Sequence, residues 1–184
     1  MGNFKQDVWL ELHDDLTAIE KVKIINHIMF EVHQFGGNIT NYHAPQNSFI
    51  NVVLETKKGN PVMLSVIYAL VCKELGIPIY GVNLPQHFVL AYVNDFTNLF
   101  DPSHKTLSDN ILFYVNPFSK GLIFNQGDVD SFIKQLNVEP ETKYYLPCSN
   151  LDIIKRILNN LIYSFDKMGY AEKVQELKDL EKQL

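Results

Sequence analysis

The sequence has only two cysteines, no long apolar run and no surplus of positive charge. Cys72 and Cys148 lie far apart in the chain, which favours two free thiols in a reducing cytoplasm. No apolar stretch approaches the roughly 18 residues of a membrane-spanning helix. The polar start also has none of the apolar character of a secretory signal peptide. We therefore expect a cytoplasmic protein that has no membrane partner.

The charge balance and the motifs exclude several classes of function. A net charge of −5 gives no electrostatic reason to expect nucleic acid, and basic and aromatic residues are not interleaved along one stripe. Gly36 and Gly37 follow a predicted helix rather than a strand, so they indicate a helix end and not a phosphate-binding loop. His27 and Glu31 are one helical turn apart but have no third ligand and no HExxH motif. We expect no nucleic acid, no cofactor and no metal.

The hydrophobic pattern predicts an α+β domain followed by a helical hairpin. A chain of 184 residues, 46% of them hydrophobic, suffices for one domain with a sizeable core. After N-terminal helices, a period of two predicts antiparallel strands, in residues 79–84, 87–93, 111–115 and 121–124. We place the main domain at residues 3–146 and the hairpin at residues 147–184. One hairpin cannot bury its own apolar face, so it must dock on that domain or on another partner.

The most informative segment begins at Asn60 and Pro61. Asn60 is a favourable helix N-cap, and Pro61 occupies the first helical position, where its missing amide costs nothing. The helix that follows, to Leu75, is apolar nearly all round and is therefore expected at the centre of the core. A strand comes next, and then His87 at the start of a second strand. This order is typical of papain-like and transglutaminase-like sites, in which a nucleophile at a helix start meets a histidine on a neighbouring strand. No cysteine stands at this helix start.

A set of residues between positions 22 and 124 adds a more specific signal. In chain order these residues are Asn26, Phe30, Glu31, Gly37, Asn38, Tyr42, Pro45, Asn47, Ser48, Val53, Leu54, Gly59, Pro61, Leu64, Tyr68, Leu75, Gly76, Pro78, Gly81, Val82, Pro85, His87, Phe88, Pro117, Phe118 and Gly121. Together they resemble the bacterial SirB-type transglutaminase-like family. The later segment LNNLIYSFDKMGYAEKV is similar to one tetratricopeptide unit.

The resemblance implies a fold of the cysteine-protease/transglutaminase-like type: a buried central helix on a small antiparallel sheet, with N-terminal helices and a C-terminal αα-hairpin. Members of the wider superfamily use cysteine, histidine and aspartate for acyl transfer or amide hydrolysis. In the SirB-type pattern a proline aligns with that cysteine, as Pro61 does here, and His87 matches the histidine. The aspartate position maps onto Asn116, where the family usually has aspartate, or, in a competing alignment, onto Asp101. An asparagine can also orient an imidazole.

Three other side chains are candidates for the missing nucleophile. Cys72 is eleven residues after Pro61, about 16 Å along the helix, among apolar neighbours that raise a thiol pKa. Cys148 precedes another helix but lies outside the matched region, where a half-buried structural role is expected. Ser65 lies one turn beyond Pro61, where it either pairs with His87 or bonds back to the carbonyl of Pro61.

The strand pattern also predicts which way His87 faces. Side chains alternate between the two faces of a sheet, so His87 shares a face with Val89, and Phe88 points to the opposite face. A histidine at this point is compatible with a structural role or with a place in a pocket.

Three functional hypotheses follow. We favour a non-catalytic module that binds a peptide or a partner protein in the groove where the active site of an enzyme of this type would lie. The hairpin would extend that binding surface. The alternative is a hydrolase or acyl transferase with Ser65 or an unexpected thiol as nucleophile, His87 as base and Asn116 beside it. In the third hypothesis the hairpin packs against a second copy or a missing part of a longer protein. The residues expected in the groove are Asn47, Ser48, Pro61, Gln86 and Asp101.

Overall fold

The computed structural model describes residues 2–94 and 110–184. The α-helices in these residues are α1 (Gly2–Glu11), α2 (Ala18–Asn26), α3 (Ile50–Thr56), α4 (Pro61–Glu74), α5 (Gln126–Gln135), α6 (Asn150–Lys167) and α7 (Ala171–Glu181). The strands are β1 (Gly36–Gly37), β2 (Lys58–Gly59), β3 (Ile79–Val82), β4 (Val89–Val93), β5 (Ile111–Asn116) and β6 (Leu122–Phe124). None of these helices is long and apolar enough to cross a bilayer. The chain is thus an α+β protein, as the sequence predicted.

Helix α4 lies in the middle of the larger core. Asn60 caps it, because its side-chain oxygen accepts a 2.9 Å hydrogen bond from the amide of Met63. Most of the helix is buried, and it contacts β3, β4, α3 and α6. Gly76, with φ of +69°, ends it. The predicted central helix therefore has the predicted cap and stop.

The main sheet is antiparallel, in the order β3-β4-β5-β6. Tyr80 pairs with Ala91, and Ala91 pairs with Tyr114. All five residues of β4 are buried, because the sheet has a core on each side. One face packs on α4 through residues that include Leu90, Tyr92, Phe113 and Val115. The other packs on α5 through residues that include Val89, Ala91, Val93 and Tyr114.

Two local expectations differ from the structure. His87 lies two residues before β4, in a turn closed by a 3.2 Å hydrogen bond from its amide to the carbonyl of Leu84. The left-handed conformation of Gln86, with φ of 58°, prevents strand pairing there. Gly36 and Gly37 do not simply end a helix but pair in parallel with Lys58 and Gly59 as β1 and β2. This pairing gives backbone groups of two loops their hydrogen-bond partners.

The C-terminal hairpin docks on the main body of the chain. Ser149 and Asp152 form a capping box at the start of α6. From there α6 packs on α4 and on the 3₁₀ turn Pro45–Ser48, with Leu158 and Leu161 buried. The guanidinium of Arg156 on α6 also donates to the side chain of Asn83, at 2.8 Å. One wall of any cleft at the start of α4 therefore comes from α6.

The close approach of the Asn26 side chain to Gly121 predicts a large effect of substitution on the unfolding free energy. Gly121 has φ of +73°, and a methyl group there would overlap the amide of Asn26, which donates to the Gly121 carbonyl at 2.8 Å. We expect Gly121→Ala to lower the unfolding free energy by about 3 kcal/mol, from backbone strain and the lost hydrogen bond. Urea unfolding measures this. Gly76→Ala is the matched control, because its φ is +69° but no atom lies within 4 Å of the added carbon; strain alone costs about 1 kcal/mol. Equal losses in the two variants would contradict the steric argument.

Candidate functional site

A groove of about 760 Å³ lies between the start of α4 and one face of α6. We call it the α4–α6 groove. Its walls are residues 42–44, the start of α4 from Asn60 to Val62, parts of the loop 83–88 and α6 residues between Asp152 and Ser164. Two residues that the sequence predicted for a groove, Pro61 and Gln86, are among its lining residues.

Two other predicted groove residues, Asn47 and Ser48, are buried behind the wall. The Asn47 side-chain amide donates to the carbonyls of Asn41 (2.7 Å) and Tyr42 (3.0 Å) and so fixes the loop that carries Tyr42. The Ser48 hydroxyl accepts a 2.8 Å hydrogen bond from the side-chain amide of Asn60. Both residues thus support the groove without lining it. Asp101, the fifth predicted residue, is outside the described part of the chain.

Aromatic side chains form one end of the groove. The ring of His43 lies 5.1 Å from the ring of Tyr42 and 5.1 Å from that of Tyr163, in edge-to-face arrangements. Tyr42 also meets Phe118 edge to face at 5.7 Å. Tyr42 and Tyr163 remain 41% and 49% exposed. Such half-exposed tyrosines offer a rigid apolar surface with a polar tip to a ligand.

Amide side chains and one arginine line much of the rest of the groove. Asn83, Gln86, Asn159 and Asn160 provide donors and acceptors of the kind that pair with a peptide backbone. Arg156 is half-buried among them. The sequence analysis missed Arg156, although a signal was present: the chain has 16 lysine and arginine residues, and only one of them is arginine.

His87 and Asn116 lie together, but in a second cavity. This cavity, of about 370 Å³, is mostly apolar and opens between β6, α5 and the turn before β4. The His87 ring packs perpendicular to the ring of Phe132 at 4.8 Å, and it makes no hydrogen bond to any described residue. Burial, and to a lesser extent the positive charge of Arg156, lower the pKa of His87 below its ordinary 6.5. The imidazole is therefore neutral at pH 7.

Asn116 acts as a turn cap. Its side-chain oxygen accepts hydrogen bonds from the amides of Phe118 (3.1 Å) and Ser119 (3.3 Å). An aspartate oxygen would accept the same two bonds, so the local structure does not depend on which of the two residues stands there. Within the described residues Asn116 shares a cavity with His87 but does not hydrogen-bond to its ring.

The two cavities open on different sides of the sheet. His87 and Val89 line the smaller cavity, whereas Phe88 and Pro61 line the α4–α6 groove. The alternation of side chains predicted this separation of His87 from Phe88. The structure therefore brings His87 to Asn116 and Pro61 to Gln86, but it does not bring Pro61 and His87 into one pocket.

Ser65 belongs to neither cavity. It is fully buried on α4, and its hydroxyl has no hydrogen-bond partner among the described residues. It neither bonds to the carbonyl of Pro61 nor pairs with the His87 ring. Ser65 is thus an unsatisfied hydroxyl in the core, which is an unusual and costly state.

Neither cysteine is poised to react. Burial raises the pKa of the Cys72 thiol far above its usual range, as expected for a residue in the apolar core. Burial, with the negative charge of Asp152, raises the pKa of Cys148 to about 11. Both are free thiols and protonated at neutral pH. No group of three histidine, cysteine or acidic side chains in the described ranges could hold a metal ion.

Comparison with known proteins places this fold in a family. Residues 1–159 match the sequence profile of the transglutaminase-like superfamily. The match covers most of the chain, including α4, the main sheet and the start of α6, and the chain therefore belongs to that superfamily. No solved structure gives a significant match.

The chain is also similar to parts of longer proteins. It is 39% identical over 83 residues to a UPF0162 protein of Xylella fastidiosa, a match that covers 45% of this chain and 30% of that protein. A UPF0162 protein of Pasteurella multocida is 30% identical over 80 residues, or 44% of this chain and 30% of its own. F-box only protein 21 of Mus musculus is 25% identical over 155 residues, or 84% of this chain and 23% of its own. The matches thus span less than a third of each relative's length.

Ser65 and Ser48 are both buried, but only the Ser48 hydroxyl has a hydrogen-bond partner among the described residues. Alanine at the two positions should therefore change the unfolding free energy differently. We expect Ser65→Ala to leave the unfolding free energy unchanged or to raise it by about 1 kcal/mol, because it removes a desolvated hydroxyl that bonds nothing. Ser48→Ala should lower it by about 1–3 kcal/mol, because it leaves the buried amide of Asn60 without an acceptor. Urea unfolding of both variants provides the comparison. A loss in Ser65→Ala as large as that in Ser48→Ala would show that the Ser65 hydroxyl is bonded.

Proposed function

We propose that this chain is a non-catalytic transglutaminase-like domain that binds a peptide, or a peptide segment of a protein, in the α4–α6 groove. The observation that carries the proposal is Pro61. It stands at the start of the central helix, where a nucleophile of this superfamily would stand, and it lines a large groove that contains no thiol.

The shape and lining of the groove support a peptide ligand. Its volume of about 760 Å³ falls within the range of roughly 300–1,000 Å³ typical of ligand sites. Amide side chains along the walls can pair with the donors and acceptors of a peptide backbone. The exposed rings of Tyr42 and Tyr163 can hold an apolar side chain, in the manner of aromatic anchors at protein interfaces.

Several finer assignments belong to the same proposal. The resemblance to the SirB-type family and the similarity of the α6–α7 hairpin to a tetratricopeptide unit support a regulatory or assembly role, and the composition supports a cytoplasmic location. The chain matches only a part of each of the longer UPF0162 and F-box relatives.

One observation favours an enzyme as the second candidate. His87 and Asn116 line the same cavity, and the lowered pKa of His87 keeps its ring neutral and able to accept a proton. A hydrolase or acyl transferase would also need a nucleophile near that ring. The buried Ser65 hydroxyl is the candidate from the sequence, and it makes no hydrogen bond to His87.

Peptide binding can be tested by selection followed by substitution at the aromatic end of the groove. Peptides selected from a random dodecapeptide display library should shift backbone amide signals of residues 42–44, Asn60, Val62 and residues 155–163. Tyr163→Ala should weaken their binding about threefold to tenfold, the value of one aromatic contact. Tyr170→Ala is the matched control, because Tyr170 is 53% exposed on the same hairpin but does not line the groove. An absence of selected peptides, or equal binding by both variants, would refute the groove.

The non-catalytic proposal predicts an absence of turnover. We expect the wild-type chain, His87→Gln and Ser65→Ala all to match buffer in release of aminomethylcoumarin from peptide amides. The same should hold for transfer of dansylcadaverine to a glutamine peptide. Turnover in the wild type that disappears in His87→Gln would instead establish the enzyme hypothesis.

A further inference from the structure

The single arginine of the chain has an unusual position. Arg156 is half-buried on α6 and lines the α4–α6 groove. One nitrogen of its guanidinium, Nη1, donates to the side-chain oxygen of Asn83 (2.8 Å) and to the carbonyl of Leu84 (3.1 Å). These two bonds hold the group in a fixed orientation. The remaining nitrogens, Nη2 and Nε, have no partner among the described residues.

No carboxylate in the described residues pairs with this guanidinium. Asp152 lies one helical turn earlier, but its carboxylate accepts from the hydroxyl (2.6 Å) and the amide (2.9 Å) of Ser149, in the capping box of α6. The chain has 21 acidic residues against 16 basic ones. The chain therefore has no shortage of acidic residues that could pair with Arg156, yet none of those that the structure describes does so.

A partly desolvated cation without a carboxylate partner, as Arg156 is among the described residues, is destabilising, and burial lowers its pKa accordingly. The guanidinium nevertheless stays charged at neutral pH, because its ordinary pKa is above 12. In the planar guanidinium, Nη1 is occupied and the N–H groups of Nη2 and Nε remain available. This arrangement matches a carboxylate, which accepts two parallel hydrogen bonds. Lys155 and Asp152 line the same groove, so the charged side chains among its described lining residues sum to one positive charge.

We propose that Arg156 is a carboxylate-binding residue, and that the α4–α6 groove selects peptides that place an acidic side chain or a free C-terminus against it. This inference rests on the proposed peptide-binding function and specifies its ligand. The positive charge of the groove is complementary to a carboxylate ligand, whereas the chain as a whole has a net charge of −5. An acidic peptide would therefore be recognised by the groove and not by the overall charge of the surface.

The experiment uses the fact that one arginine gives one Nε–Hε signal in a proton–nitrogen spectrum. The ¹⁵N-labelled chain is titrated with four N-acetylated nonapeptide pools, randomised over uncharged residues except where stated. Two pools are C-terminally amidated, one with Glu and one with Gln at the central position. The other two have no acidic side chain, one with a free C-terminal carboxylate and one amidated.

We expect the Nε–Hε signal to shift with a carboxylate pool and not with its neutral counterpart. A larger shift with the Glu pool identifies a side-chain carboxylate as the ligand group, and a larger shift with the free-acid pool identifies the C-terminus. Backbone shifts at the groove that are equal in all pools, with the arginine signal unmoved, would overturn the inference and leave the proposed function standing. No groove shift in any pool would overturn both.

Substitution then separates recognition from a structural role. From the Glu pool, the tightest single peptide and its Gln counterpart are measured against Arg156→Gln, with Lys178→Gln as the charge-matched control on the exposed face of α7. Arg156→Gln should weaken the Glu peptide tenfold to a hundredfold, the range for a charge-assisted hydrogen bond, and leave the Gln peptide unchanged. If the Nε–Hε signal instead shifts more with the free-acid pool, the same comparison uses the tightest peptide of that pool in its free-acid and amidated forms. Equal weakening of both members of the pair would show that Arg156 only holds α6 in position, and would refute the proposal.

Discussion

The buried side chain of Asn60 is the interaction on which the rest of this structure depends. Its oxygen caps the first turn of α4 through the amide of Met63, and its nitrogen donates to Ser48. Its own amide donates to the carbonyl of Asn47 at 3.3 Å. The Asn60 side chain thus joins the central helix to the turn that contains Ser48. Asn47, in the same turn, is itself hydrogen-bonded to the carbonyl of Tyr42. In a buried setting each of these polar atoms would be costly without its partner, so the start of α4 and the groove wall at Tyr42 are fixed together.

The second constraint is the burial of both sheet faces. Because α4 covers one face and α5 the other, β4 cannot carry a solvated side chain on either side. A polar group can reach a cavity only from the turn before the strand, which is where Gln86 and His87 lie. The alternation of the chain then directs Phe88 towards the α4–α6 groove, and His87 and Val89 towards the other cavity. The separation of the helix start from the histidine is therefore a consequence of the sheet and not of a single residue.

Much of the fold could be predicted from the sequence, because local signals decided it. Asn60 and Pro61 marked the start of α4, the shift from a period of 3.6 to a period of two marked the sheet, and the alternation gave the direction of His87. The turn at Gln86 was less predictable, because a left-handed residue other than glycine leaves little trace in a sequence. The hydrogen bond from Arg156 to Asn83 spans 73 positions, and such a contact depends on how α6 docks. The absence of the hydrogen bond that Ser65 could have made to the Pro61 carbonyl is likewise a result of packing that the sequence does not reveal.

The start of α4 offers few backbone donors to an anion in this groove. A superfamily enzyme needs free amide donors beside its nucleophile to stabilise a developing oxyanion. Here Pro61 has no amide hydrogen, the amide of Met63 donates to the Asn60 side chain, and the amide of Leu64 donates to the Asn60 carbonyl at 3.1 Å. The amide of Val62 is therefore the one backbone donor left free in the first turn. Pro61 stands where a nucleophile of this superfamily would stand, and it also removes one amide donor from that helix start. The charged donors that line the groove, the guanidinium of Arg156 and the ammonium of Lys155, both come from α6. A guanidinium suits the binding of a stable anion better than the stabilisation of a transient one.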